Sequence, residues 1–80
     1  MLTTGAQLRA ARALAGLTQT ELATRAKLDP STIVDMEARG AAVLRSSLET
    51  VRAVQIALEA AGVEFLNGDS PGVRLKPSKG

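Results

Sequence analysis

Apolar residues recur every three or four positions along most of the chain, a pattern that predicts a series of short amphipathic helices. The first predicted helix begins after Thr4, whose hydroxyl can cap a helix, and it ends at Gly16. Arg9 and Arg12 lie three positions apart on its polar side. Its apolar positions are Leu8, Ala11, Leu14 and Ala15.

The second predicted helix is short and has a clear start signal. Thr18 can act as its N-cap, and Glu21, three residues later, completes a capping box. We expect the helix to end near Lys27. Its apolar side consists of Leu22, Ala23 and Ala26.

The third predicted helix covers residues 29–39 and has the strongest start signal of the chain. Asp29 can cap it, and Pro30 suits its first position, because the fixed backbone angle fits a helix and no N–H is needed there. Gly40 follows its end. The predicted inner stripe is Ile33, Met36 and Glu37, and the side chains that point elsewhere are Ser31, Thr32, Val34, Asp35 and Ala38.

A loop containing Arg45 leads to a longer predicted helix, which Ser46 or Ser47 can cap and which ends at Gly62. A second apolar strip on this helix has two interpretations. It can contact a partner chain, or its small side chains can simply tolerate solvent. The main strip is Leu48, Val51, Val54, Gln55 and Leu58, and the second is Ala53, Ile56, Ala57 and Ala60.

Two short strands are predicted after the last helix, at residues 63–66 and 73–76, around a turn-rich segment at residues 67–72. An isolated hairpin is marginally stable in water, so we expect this one to pack on the last helix or to pair with its copy in another subunit. Residues 77–80 are predicted to be a loose tail. The sequence therefore predicts an all-α bundle of four to five helices with a short C-terminal β-hairpin or β-strand extension.

Composition narrows the possible functions. The 80 residues contain no Cys and no His, which removes the usual parts of nucleophilic triads, imidazole acid–base chemistry and zinc sites, so we expect neither an enzyme nor a cofactor. The chain has no signal-peptide pattern and no apolar run of membrane-spanning length, so we expect a cytoplasmic protein. The net charge of +2 is mild, but Arg9 and Arg12 precede the first acidic residue, Glu21, which indicates an anionic partner.

The second and third predicted helices, joined by a tight turn, have the spacing of a helix-turn-helix motif. Ala23 falls where the two helices cross, and Leu28 joins the apolar residues that fix their angle. In this order and spacing the chain resembles the Xre family of phage-repressor-type regulators over residues 4–60. The resemblance rests on the residues Leu8-Arg9-Ala10-Ala11-Arg12, Gly16-Leu17-Thr18-Gln19, Glu21-Leu22-Ala23, Thr32-Ile33 and Glu37-Ala38-Arg39-Gly40.

The resemblance implies binding to double-stranded DNA as a dimer, with the helix at residues 29–39 in the major groove. It implies that Gln19 hydrogen-bonds a phosphate and braces this helix, and that Arg12 pairs with Glu37 inside the fold. The implied base-contacting residues are Pro30, Ser31, Val34 and Asp35. The implied phosphate-contacting residues are Thr18, Gln19, Lys27, Thr32, Arg39 and Arg45, with Arg9 a weaker candidate.

Two features of this set are unusual. The base-contacting positions lack the Arg, Gln and Asn that make bidentate pairs with guanine or adenine, so we expect DNA shape and half-site spacing to supply much of the specificity. Lys27 occupies the turn position where the family most often has Gly, and a left-handed backbone there is strained by roughly 1 kcal/mol or more. Either the turn differs or the strain is accepted to place a cation near phosphate.

The resemblance leads to one principal hypothesis: residues 1–62 form a DNA-binding domain, residues 63–76 a β-extension, and the protein is a homodimeric repressor of an inverted-repeat operator. We expect no small-molecule ligand. The alternative is a protein-interaction module on the same fold, an antitoxin or antiactivator, which the weak base-reading set and the mild charge favour. The sequence leaves open whether a dimer forms through the long helix or through the hairpin.

Overall fold

A computed structural model describes residues 1–40, 42–66 and 72–76. Within these ranges it confirms the predicted fold class, with four helices and a two-stranded antiparallel sheet. The elements are α1 (Gly5–Ala15), α2 (Gln19–Ala26), α3 (Pro30–Glu37), α4 (Leu48–Ala60), β1 (Val63–Leu66) and β2 (Gly72–Leu75).

The helix starts lie at the predicted capping residues. Thr4 accepts a hydrogen bond from the backbone N–H of Gln7 at the start of α1. Thr18 and Glu21 form the complete capping box of α2. Asp29 caps α3, with Pro30 at its first position, and Ser47, not Ser46, caps α4. Each start depends on side chains within three residues of the helix, which is why the sequence predicts it well.

The helix ends differ more from expectation. The predicted end of α1 at Gly16 is confirmed, and the structure adds that this glycine is left-handed, with φ 71°. Lys27 is also left-handed, with φ 59°. Of the two possibilities for this position, a different turn or a strained left-handed backbone, the second is correct. Helix α3 ends at Glu37, two residues before the predicted end, and the chain then turns through Gly40, whose φ is 55°. Arg39 therefore lies in a turn and not on α3.

The core lies between the four helices and β1. Ala23 is fully buried, as predicted for the crossing of α2 with its neighbours. Two predictions of the apolar pattern are wrong: Leu14 is 41% exposed and Leu48 is 63% exposed. Helical periodicity identifies an apolar stripe but does not say which of its edges meets the rest of the protein. The fully buried large side chains are Leu8, Leu22, Ile33, Val54, Leu58 and Val63.

The hairpin packs on α4, one of the two predicted arrangements, and also on α1, which the sequence did not predict. Val63 pairs with Leu75 and Leu66 with Gly72, so β2 begins one residue earlier than predicted. Gln7 of α1 is buried and its side-chain amide donates to the carbonyl oxygen of Gly72 at 3.1 Å. The remainder of the predicted turn, at residues 67–71, and the predicted tail lie outside the described residues.

The first residues are tied to α4 and to the loop before it, contacts that no local pattern in the sequence predicts. Leu2 is buried, and its backbone N–H donates to the side-chain oxygen of Gln55 at 2.8 Å. Thr4 forms an antiparallel bridge with Val43. These contacts fix α1 relative to the loop that follows α3.

Among the described residues, none of the helices has the length and apolar character needed to cross a membrane. In the same ranges, no group of three or more acidic side chains is placed to hold a metal ion.

Candidate nucleic-acid interface

Helix α3 has one buried side and one exposed side. Ile33 and Met36 are buried and join α3 to the core, as predicted. Ser31, Val34 and Asp35 are exposed on the opposite side, and Val34, an aliphatic residue, is 46% exposed. The side chains proposed to contact bases therefore face solvent, as a DNA-contacting surface requires.

A close backbone contact holds the end of α3 against α1. A Cβ atom at Gly5 would lie 2.4 Å from the carbonyl oxygen of Met36 and 2.9 Å from the backbone nitrogen of Gly40. Neither backbone atom can move aside as a flexible side chain can. The backbone N–H of Ala6 donates to the carbonyl oxygen of Gly40 at 2.7 Å. The role of Gly5 is not visible in the sequence, because only the approach of a distant segment excludes a side chain there.

A bidentate ion pair makes a second link between α1 and α3. The Nε of Arg12 donates to Oε2 of Glu37 at 2.6 Å, and its second terminal nitrogen donates to Oε1 at 3.0 Å. Arg12 also donates to the carbonyl oxygen of Leu17 at 3.0 Å. The hydrogen bond to Glu37 raises the pKa of Arg12 above its usual value. Arg12 thus neutralises the negative charge of Glu37, which lies on a helix that is proposed to approach phosphates.

Gln19, the first residue of α2, joins the same group of side chains. Its amide nitrogen donates to Oε1 of Glu37 at 3.3 Å, so Gln19 contacts the end of the recognition helix directly. An amide nitrogen carries two hydrogens, and the second is left to donate to a phosphate. The bracing contact implied by the resemblance is thus present, and the phosphate contact stays a prediction.

The start of α3 has an internal hydrogen-bond network that limits Ser31. Asp29 accepts from both the backbone N–H and the hydroxyl of Ser31, at 2.9 and 2.8 Å. The backbone hydrogen bond is the main cause of the lowered pKa of Asp29. Because the Ser31 hydroxyl already donates to this carboxylate, it meets a base edge as an acceptor. The sequence alone did not predict this restriction on Ser31.

Two shallow hollows flank the exposed side of α3. One, of about 390 Å³, brings Asp35 together with Arg39 and Arg45. Arg45 is exposed, and Arg39 is held by a hydrogen bond from its Nε to the carbonyl oxygen of Val43 at 3.1 Å. The other hollow, of about 410 Å³, is lined by basic, acidic, amide and apolar side chains: Arg9, Arg12, Gln19, Val34, Glu37 and Ala38. Five of the ten residues proposed to contact bases or phosphates thus border one of these two depressions.

The remaining proposed residues lie apart from these hollows. Thr18 and Pro30 are exposed at the starts of their helices, and Thr32 is half-buried. Lys27 is exposed, but it borders a different depression, between the end of α2 and the outer side of α4. Of the proposed phosphate-contacting residues, Lys27 has the least support from its surroundings.

A pair of helices packed through Ala23, with the second helix anchored on one side and exposed on the other, defines the protein as a helix-turn-helix protein. Residues 4–65 match the model of a family described as a helix-turn-helix domain, and the chain belongs to that family. Membership supports DNA binding, and domains of this kind typically have no enzymatic activity. No curated protein shows significant similarity to the chain.

Proposed function

We propose that this protein is a transcriptional repressor of the Xre type, which binds an inverted-repeat operator as a homodimer with α3 in the major groove. A bound dimer would block RNA polymerase sterically, a mechanism that requires only affinity and position. Two recognition helices about 34 Å apart, one turn of DNA, would meet the two half-sites.

The observation that carries this proposal is the contrast between the two sides of α3. Its inner side is fixed by buried Ile33 and Met36 and by the ion pair of Glu37. Its outer side presents exposed side chains between two hollows that contain arginines. A rigidly anchored helix with an uncovered outer side suits insertion into a groove, because little order is lost on binding.

The proposed base contacts follow from the chemistry of the exposed side chains. Val34 and the ring of Pro30 would contact thymine methyl groups, and the Asp35 carboxylate would accept from a cytosine amino group. Ser31, with its hydrogen donated to Asp29, would accept as well. This modest set supports a large share of shape readout, in which sequence-dependent deformation of the duplex decides affinity.

The proposed phosphate contacts surround α3. Arg39 and Arg45 would contact the backbone on one side of the groove, and Thr18, Gln19 and Thr32 on the other. Lys27 would add a weaker contact. Such contacts set affinity and register, and they make binding depend steeply on salt.

The first experiment is selection of the purified protein against a random duplex pool, followed by titration of the selected sequence at several salt concentrations. We expect an inverted repeat and a steep loss of affinity with salt. In Arg45→Gln, each half of the dimer loses one phosphate contact, so the slope of log K against log salt should become shallower by about 2. Arg74→Gln, in the hairpin, removes the same charge and should leave the slope unchanged.

The absence of any enriched sequence, with only weak binding that disappears at physiological salt, would contradict the proposal. That result would favour the alternative, an antitoxin or antiactivator that captures another protein through apolar contacts, which depend little on salt. The observation that favours this alternative is the lack of Arg, Gln or Asn among the exposed residues proposed to contact bases.

A further inference from the structure

The outer side of α4 exposes large aliphatic residues that the core does not use. Leu48 is 63% exposed and Ile56 is 59% exposed, although Val51, Val54 and Leu58 on the other side of the helix already fill the core. With Ala53 they border a hollow of about 610 Å³. Exposed aliphatic groups of this size, grouped on one helix side, are typical of a contact surface.

Two opposite charges lie within the same surface. Glu49 and Arg52 also border this hollow, and they are separated by less than one helical turn. Neither forms an ion pair among the residues that the structure describes. The surface therefore combines exposed apolar area with one unpaired acid and one unpaired base.

This pairing of charges makes the surface complementary to itself. In a dimer with two-fold symmetry, a single patch meets its own copy, so a contact between one residue and a second is always made twice. A two-fold axis that bisects the line from Glu49 to Arg52 brings each carboxylate opposite the partner's guanidinium. On a helix with about 100° and about 1.5 Å between residues, the same axis brings Leu48 opposite the partner's Ala53, and Ile56 points in the same direction about 8 Å further along the helix.

We propose that this surface, formed by Leu48, Glu49, Arg52, Ala53 and Ile56, is where two copies of the chain associate. The proposal rests on the proposed function for its expectation of a dimer, but the contact itself needs no DNA. Of the two dimer surfaces that the sequence left open, it selects the long helix over the hairpin.

In the strands of the hairpin, residues 63–66 and 72–75, the acid and the base are already paired with each other. Arg74 pairs with Glu64 at 2.7 Å across the two strands. The α4 surface is small, comprising one side of a single helix, and surfaces of this size give weak dimers. We therefore expect a monomer–dimer equilibrium in free solution that shifts to dimer when two half-sites hold the copies together.

The test begins with sedimentation velocity over a wide concentration range, without DNA. Ile56→Asp should weaken self-association at least tenfold, because it would bury a charge in the apolar part of the contact. The matched control is Leu14→Asp, an exposed leucine on α1, which should leave association unchanged. Thermal unfolding of each variant establishes that it is folded.

A charge-exchange experiment identifies the occupant as a second copy. Glu49→Arg and Arg52→Glu should each weaken self-association, because each places like charges opposite one another. An equal mixture of the two variants should associate at least tenfold more tightly than either alone, since both contacts in the mixed dimer are attractive. A foreign protein partner would give no such recovery between two copies of this chain.

A wild-type protein that stays monomeric at all concentrations, or that dimerises equally well as Ile56→Asp, would overturn the proposal. The proposed function, DNA recognition, is tested by a separate result. Binding of monomer to a single half-site should persist in Ile56→Asp, with loss only of the advantage of the full inverted repeat. If the folded wild-type protein does not bind a single half-site, DNA recognition is contradicted, and the data on self-association are unaffected.

Discussion

The residues that the structure describes form two ion pairs of similar chemistry in different surroundings. Arg12 and Glu37 join α1 to α3, and their side chains are 19% and 6% exposed. Arg74 and Glu64 join the strands of the hairpin, and theirs are 60% and 33% exposed. An exposed pair contributes little, because water and salt screen it, whereas breaking a buried pair leaves an uncompensated charge.

The difference extends beyond the ion pairs. The joint between α1 and α3 also has a backbone contact at Gly5 that no other residue fits, and the additional hydrogen bond from Gln19. Among the described residues of the hairpin, Val63 is fully buried, Phe65 and Val73 pack against the core while partly exposed, and Gly72 accepts from the amide of Gln7. The contacts that tolerate the least change in side chain thus lie at the joint that holds α3 against α1.

The largest expected effect comes from filling the space at Gly5. Gly5→Ala should destabilise the fold by about 3 kcal/mol, because its Cβ would collide with backbone atoms that cannot rotate away. Gly72→Ala, in the hairpin, is the control: its Cβ would lie 3.9 Å from the nearest side chain, an ordinary contact. Urea unfolding of both variants measures the contrast. Equal stabilities would show that the joint is not tightly packed.

Removing one partner of each ion pair gives the next largest contrast. Arg12→Met should destabilise the protein by about 2 kcal/mol, since Glu37 would stay buried with only Gln19 as its partner. Arg74→Met should change stability by less than about 0.5 kcal/mol. The midpoints of chemical unfolding provide the comparison, and a similar loss in both variants would remove the distinction between the two regions.

The turn between α2 and α3 should respond in the opposite direction. Lys27→Gly should stabilise the fold by about 1 kcal/mol, because glycine adopts the left-handed backbone without strain. Lys27→Ala removes the same charge and keeps the strain, so it separates conformation from electrostatics. Calorimetric melting temperatures test both variants, and a lower melting temperature for Lys27→Gly would refute the strain argument.

The smallest effect concerns pH. The hydrogen bonds from Ser31 lower the pKa of Asp29 below its ordinary value of 3.8, so this carboxylate stabilises the folded state above that pH. The contribution is lost as pH falls through the lower folded pKa. Asp29→Asn retains a good cap and should weaken the acid dependence of unfolding between about pH 5 and about pH 2. An unchanged acid dependence would show that Asp29 is not linked to folding.

The sequence predicts the caps and turns well, because the residues that decide them are close together in the chain. Thr18 with Glu21, and Asp29 with Pro30, need no knowledge of the rest of the fold. The roles of Gly5 and Gln7 were not predictable, since each depends on a segment more than thirty residues away. For the candidate site, the resemblance supplied the positions, and the structure added that the Ser31 hydroxyl is occupied.

The errors in the apolar pattern have a related cause. Leu14 and Leu48 fit the helical period and are nevertheless exposed. The sequence shows where a stripe lies, but its outer edges are buried only if another element covers them. At Leu48 the exposed edge continues into the surface proposed to join two copies.

The eight residues of α3 limit how much sequence one copy can address. A helix of this length extends about 12 Å, which spans about four base pairs at about 3.4 Å each. A sequence of four base pairs recurs by chance about once in 256 base pairs, whereas two such sequences at a fixed spacing recur about once in 65,000 base pairs. The difference matters because non-specific sites compete for the protein throughout a genome. Because α3 is short, two copies of the protein must bind together on two half-sites to recognise a sequence that is rare in a genome.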